Sequence, residues 1–130
     1  MDDPVTKVLQ EAKTYWGTPY KWGGVSKTGI DCSGLAIQAF KVIDISLPRT
    51  ADAQALLGKK IDRDKLQPGD LIFFTKEKNT KAVTHVGIVS QVRKGEVIFI
   101  NATTQKGVIE SSLSEEYWRT RYWGAKRITR

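Results

Sequence analysis

The hydrophobic pattern of this chain changes period once, near Pro68-Gly69-Asp70, and that change limits the fold more than any other feature. Before it, apolar residues recur at helical spacing; after it, they come in short runs of strand character. Asp2, Asp3 and Pro4 form a helix start, with capping acids and then a proline at an early helical position. Val5, Val8, Leu9, Ala12 and Trp16 follow as one apolar stripe, and Gly17-Thr18-Pro19 closes the segment. Residues 17–30 are Gly-rich and read as irregular. A second helix begins near Cys32, with Leu35, Ala36, Ala39, Phe40 and Ile43 on one face. Thr50 is placed to cap a third helix over Ala51–Leu57, which Gly58 would stop.

Past the switch, Leu71-Ile72-Phe73-Phe74 is a buried strand. His85–Val92 and Glu96–Asn101 read as two strands joined at Arg93-Lys94-Gly95, and Gly107–Glu110 and Tyr122–Ile128 as two more. Helices first and strands after imply an α+β fold, a helical layer packed on an antiparallel sheet. The length of 130 residues implies one domain over 1–130 with a core that needs no disulfide.

Composition removes several function classes. One Cys and one His form neither an internal disulfide nor a zinc site of nitrogen and sulfur ligands, so no metal or cofactor is expected. No apolar run approaches the roughly 18 residues that span a bilayer. The N-terminus has neither a basic nor an apolar signal-peptide region. The net charge of +7 is uneven: residues 1–70 carry 10 basic and 9 acidic side chains, residues 71–130 carry 11 and 5. The basic C-terminal stretch, Arg119, Arg121, Lys126, Arg127 and Arg130, suits a polyanionic partner or is a solvated surface. No phosphate loop, finger spacing or aromatic RNA-binding strand supports nucleic acid.

Three polar residues stand where chemistry needs them. Cys32, in Asp31-Cys32-Ser33-Gly34, opens a helix, where the macrodipole and free N–H groups favour the nucleophilic thiolate. His85, inside the apolar strand Thr84-His85-Val86-Gly87-Ile88-Val89, needs a partner or a task. A thiol and an imidazole make the minimal set for nucleophilic acyl transfer. Asn101 ends the neighbouring strand and is the group expected to orient the imidazole. With Arg93-Lys94-Gly95 as a three-residue loop, Asn101 falls opposite Gly87, and His85 and Asn101 become diagonal neighbours on one sheet face. A two-residue turn at Lys94-Gly95 would point Asn101 away. Gly87, without a side chain, is expected to leave the space in which the pair meets.

At this point the residues resemble a known family, the NlpC/P60 cell-wall cysteine peptidases, which are circularly permuted relatives of papain-like enzymes. The matching elements are Gly17-Thr18-Pro19-Tyr20-Lys21-Trp22-Gly23-Gly24, Gly29-Ile30-Asp31-Cys32-Ser33-Gly34-Leu35 and Leu47-Pro48-Arg49-Thr50-Ala51. They continue as Leu66-Gln67-Pro68-Gly69-Asp70-Leu71-Ile72-Phe73-Phe74, His85-Val86-Gly87-Ile88-Val89, Phe99-Ile100-Asn101-Ala102 and Tyr117-Trp118. The resemblance implies Cys32 as nucleophile, His85 as base and acid, and Asn101 as third residue, where many relatives carry His. It implies Tyr20 beside the oxyanion site, and Asp31 and Ser33 binding the free amino end of a stem peptide, unless Asp31 only caps the helix. Arg49 either grips a substrate carboxylate or pairs with an internal acid. Trp22 shapes the cleft wall.

The activity implied is hydrolysis of peptidoglycan stem peptides at the bond between the γ-carboxyl of D-Glu and the following diamino acid. The location implied is the cell envelope or the secreted fraction. Anionic wall polymers suit the positive half. Alternatives are another acyl-transfer enzyme on the same scaffold (a thioesterase, lipid acyltransferase or different amidase), an amidase effector delivered to a rival, and a non-catalytic wall-binding module.

Overall fold

A computed structural model describes residues 3–78 and 80–128. Helix α1 (Pro4–Lys13) starts where expected: the Asp3 carboxylate accepts the Thr6 N–H at 2.8 Å, and Pro4 takes an early position whose missing N–H costs nothing. Asp2 lies outside the described residues. The stripe runs shorter than its spacing implies. Val8 and Ala12 are buried, but Trp16 is 53% exposed and Tyr15 takes the inward place. The helix closes at Lys13, and the turn that follows ends at Gly17 with φ 81°, so helical spacing no longer fixes direction there.

The Gly-rich segment is more ordered than its composition suggests. Strands β1 (Val25–Ser26) and β2 (Gly29–Ile30) form a small antiparallel ladder, and Tyr20 bridges to Ile30. Gly24 is required there, because a Cβ would collide with the Gly29 carbonyl. Helix α2 (Cys32–Lys41) buries Leu35, Ala36, Ala39 and Phe40. Helix α3 is only Ala51–Gln54, not Ala51–Leu57, and Thr50 sits at its N-cap without a side-chain capping bond. Past Gln54 the N–H groups of Leu56 and Leu57 turn to the carbonyls of Ala53 and Gln54, three residues back, and Leu56 is 80% exposed, so the helix tightens and ends.

The main sheet is antiparallel, in the order β3 (Lys59–Lys60), β8 (Tyr122–Arg127), β4 (Leu71–Thr75), β5 (Val83–Arg93), β6 (Glu96–Thr103), β7 (Gly107–Ser112). A short helix α4 (Glu116–Arg121), absent from the sequence reading, precedes β8. The α+β architecture is as expected, with α1, α2 and α3 on one sheet face, while Trp118 of α4 packs on the other. Leu71 and Phe73 of β4 pack with Val86, Ile88 and Ile100 under α1 and α2, while Ile72 and Phe74 pack on the other face with Phe99, Leu113 and Ala125. Both faces of β4 are therefore dry, which explains its unbroken apolar run.

The β5–β6 hairpin corrects one expectation and keeps its consequence. The turn is the two-residue one: Arg93 pairs with Glu96, and Lys94 (φ 53°) and Gly95 (φ 83°) are both left-handed. Alone it would point Asn101 away from His85. Between Val89 and Gln91 the ladder shifts by one residue, so Val89 pairs with Phe99 and Ile88 with Ile100. The bulge leaves Ser90 as the extra residue, its hydroxyl donating to the Ile98 carbonyl at 3.2 Å, and restores the register that brings His85 and Asn101 to one face. Gly87 has a different use from the one expected: a Cβ there would meet Phe99 Cδ2 at 2.5 Å, so it admits the Phe99 ring.

Candidate active site

Cys32 is the first residue of α2, and its position follows from the residue before it. The Asp31 carboxylate accepts the Gly34 N–H at 2.7 Å and caps the helix, which fixes the turn that carries the thiol. The same carboxylate accepts the Gly23 N–H at 3.0 Å, the Ser33 hydroxyl at 3.2 Å, and both terminal nitrogens of Arg49 at 3.2 and 2.9 Å. Arg49 also donates to the Ser33 hydroxyl at 2.9 Å. Of the two roles open to Arg49, the structure shows the internal ion pair. Burial would raise the Asp31 pKa, but the Arg49 and backbone hydrogen bonds outweigh it and hold the carboxyl below its ordinary 3.8.

The thiol differs from the expectation of a resting thiolate. Burial pushes Cys32 up to about 11, although the N–H groups of Val86, Ser33 and Cys32 itself pull it down. Desolvation of the charged form exceeds the pull of the helix terminus. His85 is lowered from 6.5, by burial first, with its bond to Asn101 acting in the opposite sense. Burial thus favours the neutral form of both the thiol and the imidazole, and no hydrogen bond joins them among the described residues; both line one cleft.

The imidazole tautomer can be read from the chain of bonds behind it. Asn101 Nδ2 lies 3.4 Å from the Ile109 carbonyl, which only accepts, and 3.1 Å from the Ser111 hydroxyl. The amide nitrogen must face that side, so Oδ1 faces the ring, 2.9 Å from His85 Nε2. Nε2 therefore carries the hydrogen and donates it to Asn101, which leaves Nδ1 as the basic nitrogen. The Trp118 ring stacks on the imidazole at 5.0 Å and 22°, backed by Phe74 at 4.8 Å from Trp118. These rings pack one side of the imidazole with apolar surface.

The cleft has two lobes that share Tyr20, Cys32 and Thr84. The larger, about 450 Å³, is also lined by His85, Thr103, Lys76, Lys106, Glu115 and Trp118. The smaller, about 390 Å³, is lined by Trp22, Asp31, Ser33 and Arg49. All eight residues singled out from sequence are thereby brought together, Asn101 from behind the ring. Tyr20 stands at the junction. Its hydroxyl has no partner among the described residues, and burial, followed by the charges of Cys32 and Asp31, raises its pKa, so it remains a donor. Trp22 is 86% exposed at the rim of the smaller lobe. Among the described residues no group of three or more His, Cys, Asp or Glu side chains is placed to hold a metal, and no helix is long and apolar enough to cross a membrane.

Sequence reasoning missed five residues around the site. Ser111 and Trp118 act through Asn101 and His85; the pair Tyr117-Trp118 was a visible signal for the second. Gln54 donates to the Ser33 carbonyl at 3.2 Å and the Pro48 carbonyl at 2.9 Å, tying the first turn of α2 to the Arg49 segment. Lys76 and Lys106 had no signal, because nothing local tells a surface lysine from a cleft lysine.

The family model described as "NlpC/P60 family" matches residues 17–127. An Escherichia coli protein named "Probable endopeptidase NlpC" is 38% identical over 98% of this chain and 82% of its own length. The gamma-DL-glutamyl hydrolase of Bacillus subtilis is 38% identical over 97% of this chain, but this chain spans only 30% of it. Among solved structures, an NlpC/P60 family protein from Bacillus cereus has a TM-score of 0.86 at 30% identity, covering 97% of this chain and 40% of that one. The NlpC/p60 domain of the peptidoglycan hydrolase SagA has a TM-score of 0.78 at 26% identity, covering 95% and 98%. A family match over that span, carried by the same fold and by relatives of this identity, makes the chain a member of the NlpC/P60 family.

Proposed function

We propose that this protein is a cysteine peptidase of the cell envelope or its surroundings that hydrolyses peptidoglycan stem peptides, at the bond between the γ-carboxyl of D-Glu and the following diamino acid. The observation that carries this reading is the His85 tautomer: Asn101 takes the Nε2 hydrogen, and Nδ1 is the remaining base in a cleft that also holds the single thiol. The relatives named endopeptidase, gamma-DL-glutamyl hydrolase and peptidoglycan hydrolase support the substrate class. The larger lobe sets the polar groups of Thr84, Thr103, Thr104 and Gln105 beside the apolar surface of Ile109 and Trp118, a mixed lining that suits a peptide.

The steps follow from neutral partners. As substrate enters, His85 Nδ1 takes the thiol proton and the sulfur attacks the carbonyl carbon. The oxyanion forms beside the Cys32 N–H, one of the unpaired donors at the start of α2, and the Tyr20 hydroxyl. His85 then returns the proton to the leaving amine, and the carbon–nitrogen bond breaks to leave a thioester. Water, deprotonated by the same nitrogen, releases the γ-carboxylate and restores the thiol. Asp31, Ser33 and Arg49 wall the acyl side, and the polymer's negative charge suits the basic C-terminal half.

Purified muropeptides digested with the protein, with new termini identified by mass, test this. The expected products are a free γ-carboxyl on D-Glu and a free amine on the diamino acid, both absent with Cys32→Ala. Cleavage at another bond overturns the bond assignment, and more than a tenth of the activity left in Cys32→Ala overturns the thiol mechanism.

A further inference from the structure

Away from the cleft, the outer edge of the main sheet sets like charges directly opposite each other. Lys60 of β3 pairs with Lys126 of β8, and Lys59 pairs with Arg127. Such pairs cost stability, so folding alone does not account for them. Arg127 is answered from within, its Nε donating to Asp70 Oδ1 at 2.7 Å. Lys60 and Lys126 are in no ion pair among the described residues, and Asp62, two residues past Lys60, pairs with neither. The register gives the face they share. Lys126 also pairs with Leu71, and Gly124 with Phe73, and Leu71 and Phe73 pack under α1 and α2. Side chains alternate along a strand, so Lys60, Lys126 and Gly124 lie on the face that bears these helices. At β8 that face is open, because a Cβ on Gly124 would meet nothing within 4 Å. The register shift between Phe73 and Phe74 leaves Trp123 as the extra residue of β8. Its ring stands perpendicular to Phe73, centroids 6.3 Å apart, and is 42% exposed. A ring, a bare glycine shelf and two uncompensated ammonium groups thus follow one another along about 10 Å of strand. None of these residues lines either lobe of the cleft.

We propose that this edge is a docking surface for a carboxylate-bearing polysaccharide. One sugar ring lies on Trp123 over the Gly124 shelf, and Lys60 and Lys126 hold the carboxylate of a neighbouring sugar. The C–H face of a pyranose suits the negative face of an indole, and the carboxylates of a uronate polymer repeat along its length. One exposed ring is too little apolar surface to hold a bilayer. Single-stranded nucleic acid takes several stacking rings along a charged groove, and this edge has one ring. The surface stands whether or not the cleft hydrolyses peptidoglycan.

Calorimetric titration with oligogalacturonate tests this, beside neutral dextran, phosphatidylglycerol vesicles and an oligothymidylate. Oligogalacturonate should bind, and dextran should bind far more weakly. Lys60→Gln with Lys126→Gln should weaken oligogalacturonate binding about tenfold. Lys7→Gln with Lys94→Gln removes the same charge elsewhere and should leave it unchanged. Trp123→Leu keeps an apolar contact with Phe73 but no ring, and should weaken binding about fivefold, while Trp123→Tyr should keep most of it. Circular dichroism checks that each variant is folded, and the exchange of two surface lysines carries the test by itself should Trp123→Leu unfold. No binding of oligogalacturonate, equal losses in the two lysine pairs, or full binding by a folded Trp123→Leu would overturn the surface. Vesicles or oligothymidylate bound as tightly, with the same response to the variants, would overturn the polysaccharide as its partner.

Discussion

In the smaller lobe the Arg49 guanidinium gives three hydrogen bonds to Asp31 and Ser33, whereas in the larger lobe Lys76 and Lys106 give none to any acid among the described residues. Charges of similar exposure are therefore used in opposite ways on the two sides of one thiol. A carboxylate that already accepts five donors has little capacity left for a substrate ammonium, so Asp31 acts as part of the frame that holds Cys32 and Arg49. Unpaired lysines in a cleft are free to answer a substrate. The smaller lobe is thus a hydrogen-bonded wall, and the larger lobe, with His85 and the lysines, is the side on which the proposed reaction places protonation of the leaving amine.

The largest break in that comparison comes from the leaving-group side. Asn101→Ala removes the acceptor that fixes the His85 tautomer and should lower kcat by about 100-fold with KM little changed, because a misaimed base costs chiefly in the transition state. Activity requires neutral His85, whose pKa burial sets below 6.5, so the acid limb of the pH–rate profile should lie below that value in the wild type. The Asn101 bond raises the pKa, so its loss should move the limb to still lower pH. A limb that moves upward in Asn101→Ala would contradict the tautomer.

How far the sequence alone reached differs in the same way between helix and sheet. The α2 site was legible because its physics is local: an Asp before Cys, Ser and Gly caps a helix wherever it occurs, and the Gly-rich segment before it has to turn. The sheet site was legible only in part. The pairing of His85 with Asn101 was expected through a three-residue turn, and it arises instead from a two-residue turn plus a bulge at Ser90. The extra residue, Ser90, shows itself only in the pairing of β5 with β6, and neither strand read alone carries that register. The thiol was misread for a related reason: a helix start is visible in sequence, but the desolvation that pushes Cys32 up to about 11 comes from segments distant along the chain. Ser111, on a strand whose second half was not expected, and the short helix carrying Trp118 were invisible for the same cause.

On the acyl side the expected effect is smaller and falls on stability. Arg49→Ala should cost about 1–2 kcal/mol by removing hydrogen bonds to a charged group at a buried carboxylate. The pH dependence gives the sign. The folded-state pKa of Asp31 is depressed, so its contribution is present above the ordinary 3.8 and is lost as the pH falls through the folded value. Without Arg49 burial gains weight, the folded value rises, and acid unfolding should begin at a higher pH. Thermal melts between about pH 3 and pH 7 measure this, and an unshifted acid limb would show that the backbone N–H groups hold Asp31 unaided.

The smallest effect sharpens the leaving-group side from behind. Ser111 lines the larger lobe, and its hydroxyl meets Asn101 Nδ2 at 3.1 Å, while the Ile109 carbonyl, at 3.4 Å, is the weaker partner. With Ser111→Ala the amide keeps one long bond to define which way it faces. A flipped amide would present N–H groups to His85 Nε2 and favour the wrong tautomer, with the hydrogen on Nδ1. A minor flipped fraction should lower kcat about three- to fivefold, more than it changes KM, since only one hydroxyl of the lobe's lining is lost. Ser111→Thr keeps the hydroxyl and should restore most of the rate if the added methyl is accommodated. A loss in KM, or equal losses in the Ala and Thr variants, would assign Ser111 to packing and leave the Ile109 carbonyl as the only orienting group.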